Sequence, residues 1–277
     1  MRSPRLRWVV LLAVLVSVAA ITAQAQLRGR NSRSFSSLRV AEPEDFDGSF
    51  QFCRVVFRNG PYGDSRSGSW EVDFPRADIN LSIRLSELTK TRVGRDDTGT
   101  PNHLLIRLTS PEMFNCPFIM MTEVGAADLS SNEITHLREY LLKGGFVWAD
   151  DFWGTDAWEW WEEVIGEVLP RSEYPIVELT PDHPLFRAQF FLKDTPQIAN
   201  IGHWSSYGDG MERGSDSPRA DTRAIFDKHG NILVLMTHNS DFGDSFEREA
   251  DDPTYFLENS VPGYAFGINS LLYAMTH

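Results

Sequence analysis

Three groups of side chains in this 277-residue chain have the types and spacing to do chemistry. Glu123, Asp150 and Asp151 stand where two short apolar runs, Phe118 to Met121 and Phe146 to Ala149, give way to acids. Carboxylates gathered at one place suit a hard cation such as magnesium or calcium, although acids also end strands for purely structural reasons. His238, Asn239, Asp241 and Asp244 form the second group, within one short segment. An imidazole beside carboxylates can act as a general base with its orienting acid, or complete a mixed nitrogen–oxygen metal site with the first group. On that reading Asp150, Asp151, Asp241 and His238 hold a divalent cation. Asp150, Asp151 and His238 are then the catalytic candidates, with Glu123, Trp153, His183 and Asn239 as ligand contacts. His183 belongs to the third group, Asp182-His183-Pro184, where aspartate and proline make a turn and the imidazole satisfies backbone carbonyls.

These residues need a scaffold, and the stretch Pro117 to Gly154 supplies its centre. Phe118-Ile119-Met120-Met121 is too short for a helix and reads as a strand buried on both faces. Ser130-Ser131-Asn132-Glu133 is a capping box, with Leu129 and Ile134 placed for a hydrophobic staple. Ile134, Leu137, Tyr140 and Leu141 follow at helical spacing, and Gly144-Gly145 provides a left-handed exit. Phe146 to Ala149 is a second strand. A strand–helix–strand unit of this length implies parallel strands, with ligands bound beyond their carboxyl ends. Glu123, Asp150 and Asp151 stand there.

The rest of the chain extends this pattern. Phe50 to Arg58 and His103 to Leu108 read as strands. Pro75 to Thr89 reads as a helix with Ile79, Ile83, Leu85 and Leu88 inward. A helix from Ala157 to Leu169 is expected to start on an Asp156/Glu159 capping box and to bury Trp161, Ile165 and Val168. Trp153, Trp158, Trp160 and Trp161 crowd its start, either as a packed aromatic lid or as a platform for a sugar ring or cation. Tyr174 to Leu179 reads as a strand and Gln197 to Trp204 as extended. Arg223 to Asp227 and Asn231 to Thr237 form a hairpin that delivers His238 at its end. A last helix runs from Val261 to Met275, capped by Ser260.

Composition bounds the setting. Arg2, Arg5 and Arg7, an apolar run from Trp8 to Ile21 and Ala23-Gln24-Ala25 make a cleavable signal peptide over residues 1–25. Residues 26–48 read as a flexible leader, and residues 49–277 as one α/β domain that is periplasmic or secreted, with no membrane span once the signal is removed. The formal charge of −13 becomes −16 when the three signal arginines go. Such a surface repels nucleic acid and favours cations or neutral ligands. Cys53 and Cys116 could pair in an oxidising compartment, but both fall at core strands, and buried free thiols are the expectation. Gly-x-Ser-x-Gly, Walker, His-Glu-x-x-His and zinc-cysteine patterns are all missing.

The segments WEVDFPRADINLSIRLSELT, LLKGGFVWADDFWG, YPIVELTPDHPLF, LVLMTHNSDFGDSFERE and YAFGINSLLYAMTH resemble a bacterial exported family, domain of unknown function 4159, from about residue 50 onward. That family is placed in the class I glutamine amidotransferase-like superfamily. The resemblance implies a three-layer, flavodoxin-like α/β fold, a mostly parallel sheet with helices on both faces. Amidotransferases of this superfamily carry a nucleophilic cysteine on the sharp turn after a strand. The corresponding turn here is Ala149 to Trp153; it holds no cysteine, and an aspartate cannot replace a thiolate in amide transfer. Asp182-His183-Pro184 resembles a stretch of the sugar-related branch and points toward carbohydrate. The expectation is therefore an envelope protein that binds a small-molecule or carbohydrate ligand, or a protein partner, on a scaffold without glutaminase chemistry. A metal-assisted hydrolase acting on a neutral or sugar-derived substrate and a structural envelope component are the alternatives. Whether the chain is an enzyme stays open.

Overall fold

The computed structural model describes residues 40–277, so the expected signal peptide and most of the expected leader lie outside the described residues. Among the described residues nine strands occur in chain order: β1 (Phe52–Val56), β2 (Arg58–Asn59), β3 (His103–Arg107), β4 (Ile119–Thr122), β5 (Ala127–Asp128), β6 (Val147–Phe152), β7 (Ile176–Glu178), β8 (Asp221–Phe226) and β9 (Ile232–His238). Seven of them form one sheet in the order β3-β1-β4-β6-β9-β8-β7, while β2 and β5 make a small antiparallel pair. From β3 to β9 every pairing is parallel; β9–β8 and β8–β7 are antiparallel. The protein is thus mixed α/β around a mostly parallel sheet, with β4 and β6 in register at Thr122 and Asp150, as the strand–helix–strand reading required.

Helix α1 (Arg76–Leu88) buries Ala77, Leu81 and Leu85, a stripe one turn apart at each step. Ile79 and Ile83 are half-buried and Leu88 is exposed, so the inward face is rotated from the one expected. Asp78 lies on the true inward face, fully buried against Arg54 of β1. Helix α2 (Ser131–Leu142) has the expected capping box: Ser130 Oγ accepts from Glu133 N, and Glu133 Oε2 from Ser130 N at 2.8 Å. Gly144, at φ 94°, turns the chain out.

Helix α3 (Gly154–Val168) begins three residues before its expected start and has no capping box. Its first N–H groups are capped from far along the chain: Asn239 Oδ1 accepts from Gly154 N at 2.8 Å, and Asp216 Oδ2 from Thr155 N at 3.1 Å. Local sequence cannot show a cap of that kind. The stretch expected to be extended near residue 200 is helix α4 (Ile201–Tyr207), capped by Asn200 on His203 N and ended by Gly208 in the left-handed region. Helices α5 (Phe242–Glu247) and α6 (Pro253–Tyr255) follow, then a π turn, Phe256–Ser260, leading into α7 (Val261–Thr276). Ser260 caps nothing, because the chain is already helical before it; Asp252 is the cap, on Thr254 N and Tyr255 N.

Trp148 of β6 packs on Phe242 and Phe266, placing α5 and α7 on one face of the sheet with α1. Strand alternation turns Val147 and Ala149 to the other face. There α2 and α3 pack on each other and bury Leu137, Leu141, Trp161 and Ile165. Cys53 and Cys116 form a disulfide, which overturns the expectation of free thiols. Cys53 of β1 and Cys116, in the turn just ahead of β4, join segments 63 residues apart in sequence. No helix among the described residues is long and apolar enough to cross a membrane.

Candidate metal centre

At the carboxyl ends of β4, β6 and β9 the backbone does something unusual. The non-glycine residues with positive φ among the described residues are Asp73 (63°), Glu123 (59°), Asp151 (55°) and Asn239 (59°). Asparagine and aspartate tolerate this region and glutamate does so less readily, each at a cost the surrounding structure must offset. Glu123 directly follows β4, Asp151 lies in β6 where its register with β9 shifts, and Asn239 directly follows β9. The irregularity between Ala149 and Phe152 re-aims the Asp150-Asp151 pair, as bulges beside functional sites do.

The result is a convergence of acids. Asp73, Asp151 and Asp241 each offer a carboxylate oxygen within 4.8 Å of the others, and all three are buried. Asp73 also converges with Asp244 and Glu247. Burial, with Asp244 close by, raises the Asp73 carboxyl well above the usual carboxylate range. Burial likewise raises Asp151, helped by Glu123, and Asp241, helped by Asp151. Burial lifts Glu123 to about 7. Arg54 is the one buried arginine or lysine among the described residues, and its Nε is held by both oxygens of Asp78 at 3.1 and 3.0 Å. Arg54 Nη1 also donates to the carbonyls of Trp70 and Val72, both at 3.3 Å, and so fixes the backbone that presents Asp73.

The two triads differ in what already balances them. Arg248 Nε lies 3.2 Å from Asp244 Oδ1 and its Nη2 2.9 Å from Glu247 Oε2. Among the described residues no ion pair reaches the first triad; Arg54, paired with Asp78, lowers the Asp73 carboxyl only through its field and does not outweigh burial. Asp151 Oδ1 accepts from Trp153 Nε1 at 2.8 Å, and Asp241 Oδ1 from Asp244 N at 2.7 Å. Asp73 Oδ2 is buried and makes no hydrogen bond among the described residues. Desolvating a carboxylate oxygen without a partner is costly, and a cation at this point removes the cost.

The sequence-derived candidates divide accordingly. Asp151 and Asp241 meet in the triad. Asp150 is fully buried beneath it: Thr237 Oγ1 donates to one oxygen, Phe242 N at 3.0 Å and Gly243 N at 3.3 Å to the other. Burial raises Asp150 to about 7. His238 points elsewhere, with Nε2 3.0 Å from the Gly154 carbonyl and Nδ1 3.7 Å from Asp221, its ring between Phe152 and Trp158. Asn239 is engaged by Gly154 N and the Arg219 carbonyl. Trp153 is buried and serves by orienting Asp151. His183 accepts from Leu185 N and packs on Phe226 and Tyr273. Phe226 pairs with Ile232, which begins β9, so His183 sits at the opposite end of the sheet. Asp73 escaped sequence reading altogether. The signal was an acid immediately before Phe74-Pro75 at a helix start.

A family model for domain of unknown function 4159 (DUF4159) matches residues 55–275. The chain belongs to the DUF4159 family. All the acids of the carboxylate cluster in this chain, from Asp73 to Glu247, fall within the residues matched by the DUF4159 model. No curated protein matches the chain.

Proposed function

We propose that this DUF4159 protein is an exported envelope domain that binds a hard divalent cation at Asp73, Asp151 and Asp241, and through it a small neutral ligand. The observation that carries the reading is the buried, all-oxygen triad, with which no basic side chain among the described residues forms an ion pair. Oxygen donors of this kind suit calcium or magnesium over softer metals. The Cys53–Cys116 disulfide supports an oxidising compartment and hence export. The parallel core, with Asp151 in the left-handed region at the strand-to-helix turn, supports an amidotransferase-like, flavodoxin-like scaffold that has an aspartate at its elbow. Both cysteines are tied up elsewhere, which argues against glutaminase chemistry. The same elbow position favours one alternative, a hydrolase in which the cation activates water.

The test is metal content and thermal shift. At a hundredfold excess over Kd a cation adds about 2.7 kcal/mol, which for a domain of this size is a rise in Tm of roughly 5–10 °C. Asp151→Asn and Asp241→Asn should abolish the rise while leaving the circular dichroism unchanged. A wild-type Tm indifferent to calcium and magnesium would sink the reading. Export is checked by the mass of the released chain, expected to begin at Gln26.

A further inference from the structure

A second acidic feature shares no residue with the carboxylate cluster. The loop after β2 and the outer face of α3 enclose a groove of about 410 Å³, within the usual size of small-ligand sites. The loop is held firmly, with Gly60 N donating to the Ala126 carbonyl and Asp64 N to the Gly125 carbonyl, both at 2.8 Å. From α3 come Asp156, Glu159, Trp160 and Glu163, whose three- and four-residue spacing puts them on one helix face.

Asp64 lines the groove with a side chain 3% exposed. Its Oδ1 accepts from Arg66 N at 3.0 Å, while Oδ2 is buried and makes no hydrogen bond among the described residues. Arg66 offsets part of the charge, lying 3.4 Å from Asp64 and 3.8 Å from Asp156. Glu159 and Glu163 are exposed. Trp160 spends its indole N–H on the Ala127 carbonyl at 2.8 Å, so its ring offers the groove only an apolar, electron-rich wall.

We propose that this groove binds the ammonium or guanidinium group of an organic cation. Asp64 supplies an incompletely partnered carboxylate at the groove wall, Glu159 and Glu163 supply the attracting field, and Trp160 packs on the alkyl body. A metal ion is the poorer occupant. Its ligands must surround one point, and these carboxylates do not converge as Asp73, Asp151 and Asp241 do.

Calorimetry with agmatine and with the tripeptide Gly-Lys-Gly, in EDTA so that the metal centre is silent, tests the proposal. The expected result is saturable binding of agmatine at one per chain, with a change in tryptophan emission that Trp160→Phe removes. Asp64→Asn should weaken binding tenfold or more. Binding of the tripeptide as well assigns the site to a peptide side chain; agmatine alone assigns it to a free amine. Failure of both probes to saturate the wild-type protein overturns the proposal. So does unchanged affinity in folded Asp64→Asn. If that variant does not fold, unchanged affinity in Glu159→Gln/Glu163→Gln, which alters exposed residues alone, overturns it equally.

Discussion

Gly243 lies so close to Asp73 that any side chain at position 243 would run into the Asp73 carboxylate. The backbone there has little freedom to yield, because Gly243 N donates to Asp150 Oδ2 at 3.3 Å. One absent methyl group therefore lets the loop before α1 bring its acid to the ends of β6 and β9.

Gly243→Ala should displace Asp73 and lower cation affinity tenfold or more by calorimetry. Without metal the variant should lose about 1–3 kcal/mol, the usual cost of overpacking. Wild-type affinity in this variant would remove Asp73 from the ligand set.

Arg54 and Asp78 are both fully buried, so removing one partner strands a charge. Asp78→Ala should cost about 3–5 kcal/mol in urea denaturation. Arg54→Met/Asp78→Leu should recover most of that loss, since two apolar side chains leave no unpaired charge. The double variant should still bind cation more weakly, because Arg54 also anchors the Trp70 and Val72 carbonyls ahead of Asp73.

The metal-free protein should lose stability as pH rises. Asp150 goes from an ordinary 3.8 to about 7 on folding, so the unfolded chain gives up its proton first. The penalty is zero below pH ~4, grows through the interval and is complete above about 7. At about 1.4 kcal/mol per unit, a displacement of roughly three units is worth on the order of 4 kcal/mol. Asp73, Asp151 and Asp241 act in the same direction. Calorimetric Tm in EDTA should fall from pH 4 to 7, and saturating calcium should flatten the profile. A metal-free Tm that climbs over this range would contradict the burial of these carboxyls.

The disulfide gives a fourth check. Native, unreduced protein should show no free thiol. Cys53→Ser/Cys116→Ser should lower stability by about 2–4 kcal/mol through the freed denatured chain, without changing cation affinity. Two titratable thiols in the native protein would refute the pairing.

The elements were legible wherever the determinants were local. The Ser130/Glu133 capping box, the apolar runs at Phe118 and Phe146 and the hairpin into His238 all act over a few residues, and each is where it was read. The α3 start was misread because Asn239 and Asp216 cap it from distant positions, and the α1 face because Asp78 had to meet Arg54.

Sequence alone determined that β4 and β6 run parallel and carry acids to one edge, since run length and the intervening helix leave no other pairing. Tertiary structure decided which acids meet. The left-handed turns at Asp73 and Asp151 and the space at Gly243 bring Asp73 in and leave Asp150 below, while His238 turns toward Gly154. Convergence of side chains depends on backbone dihedrals and close approach between distant segments, which residue type and spacing do not encode.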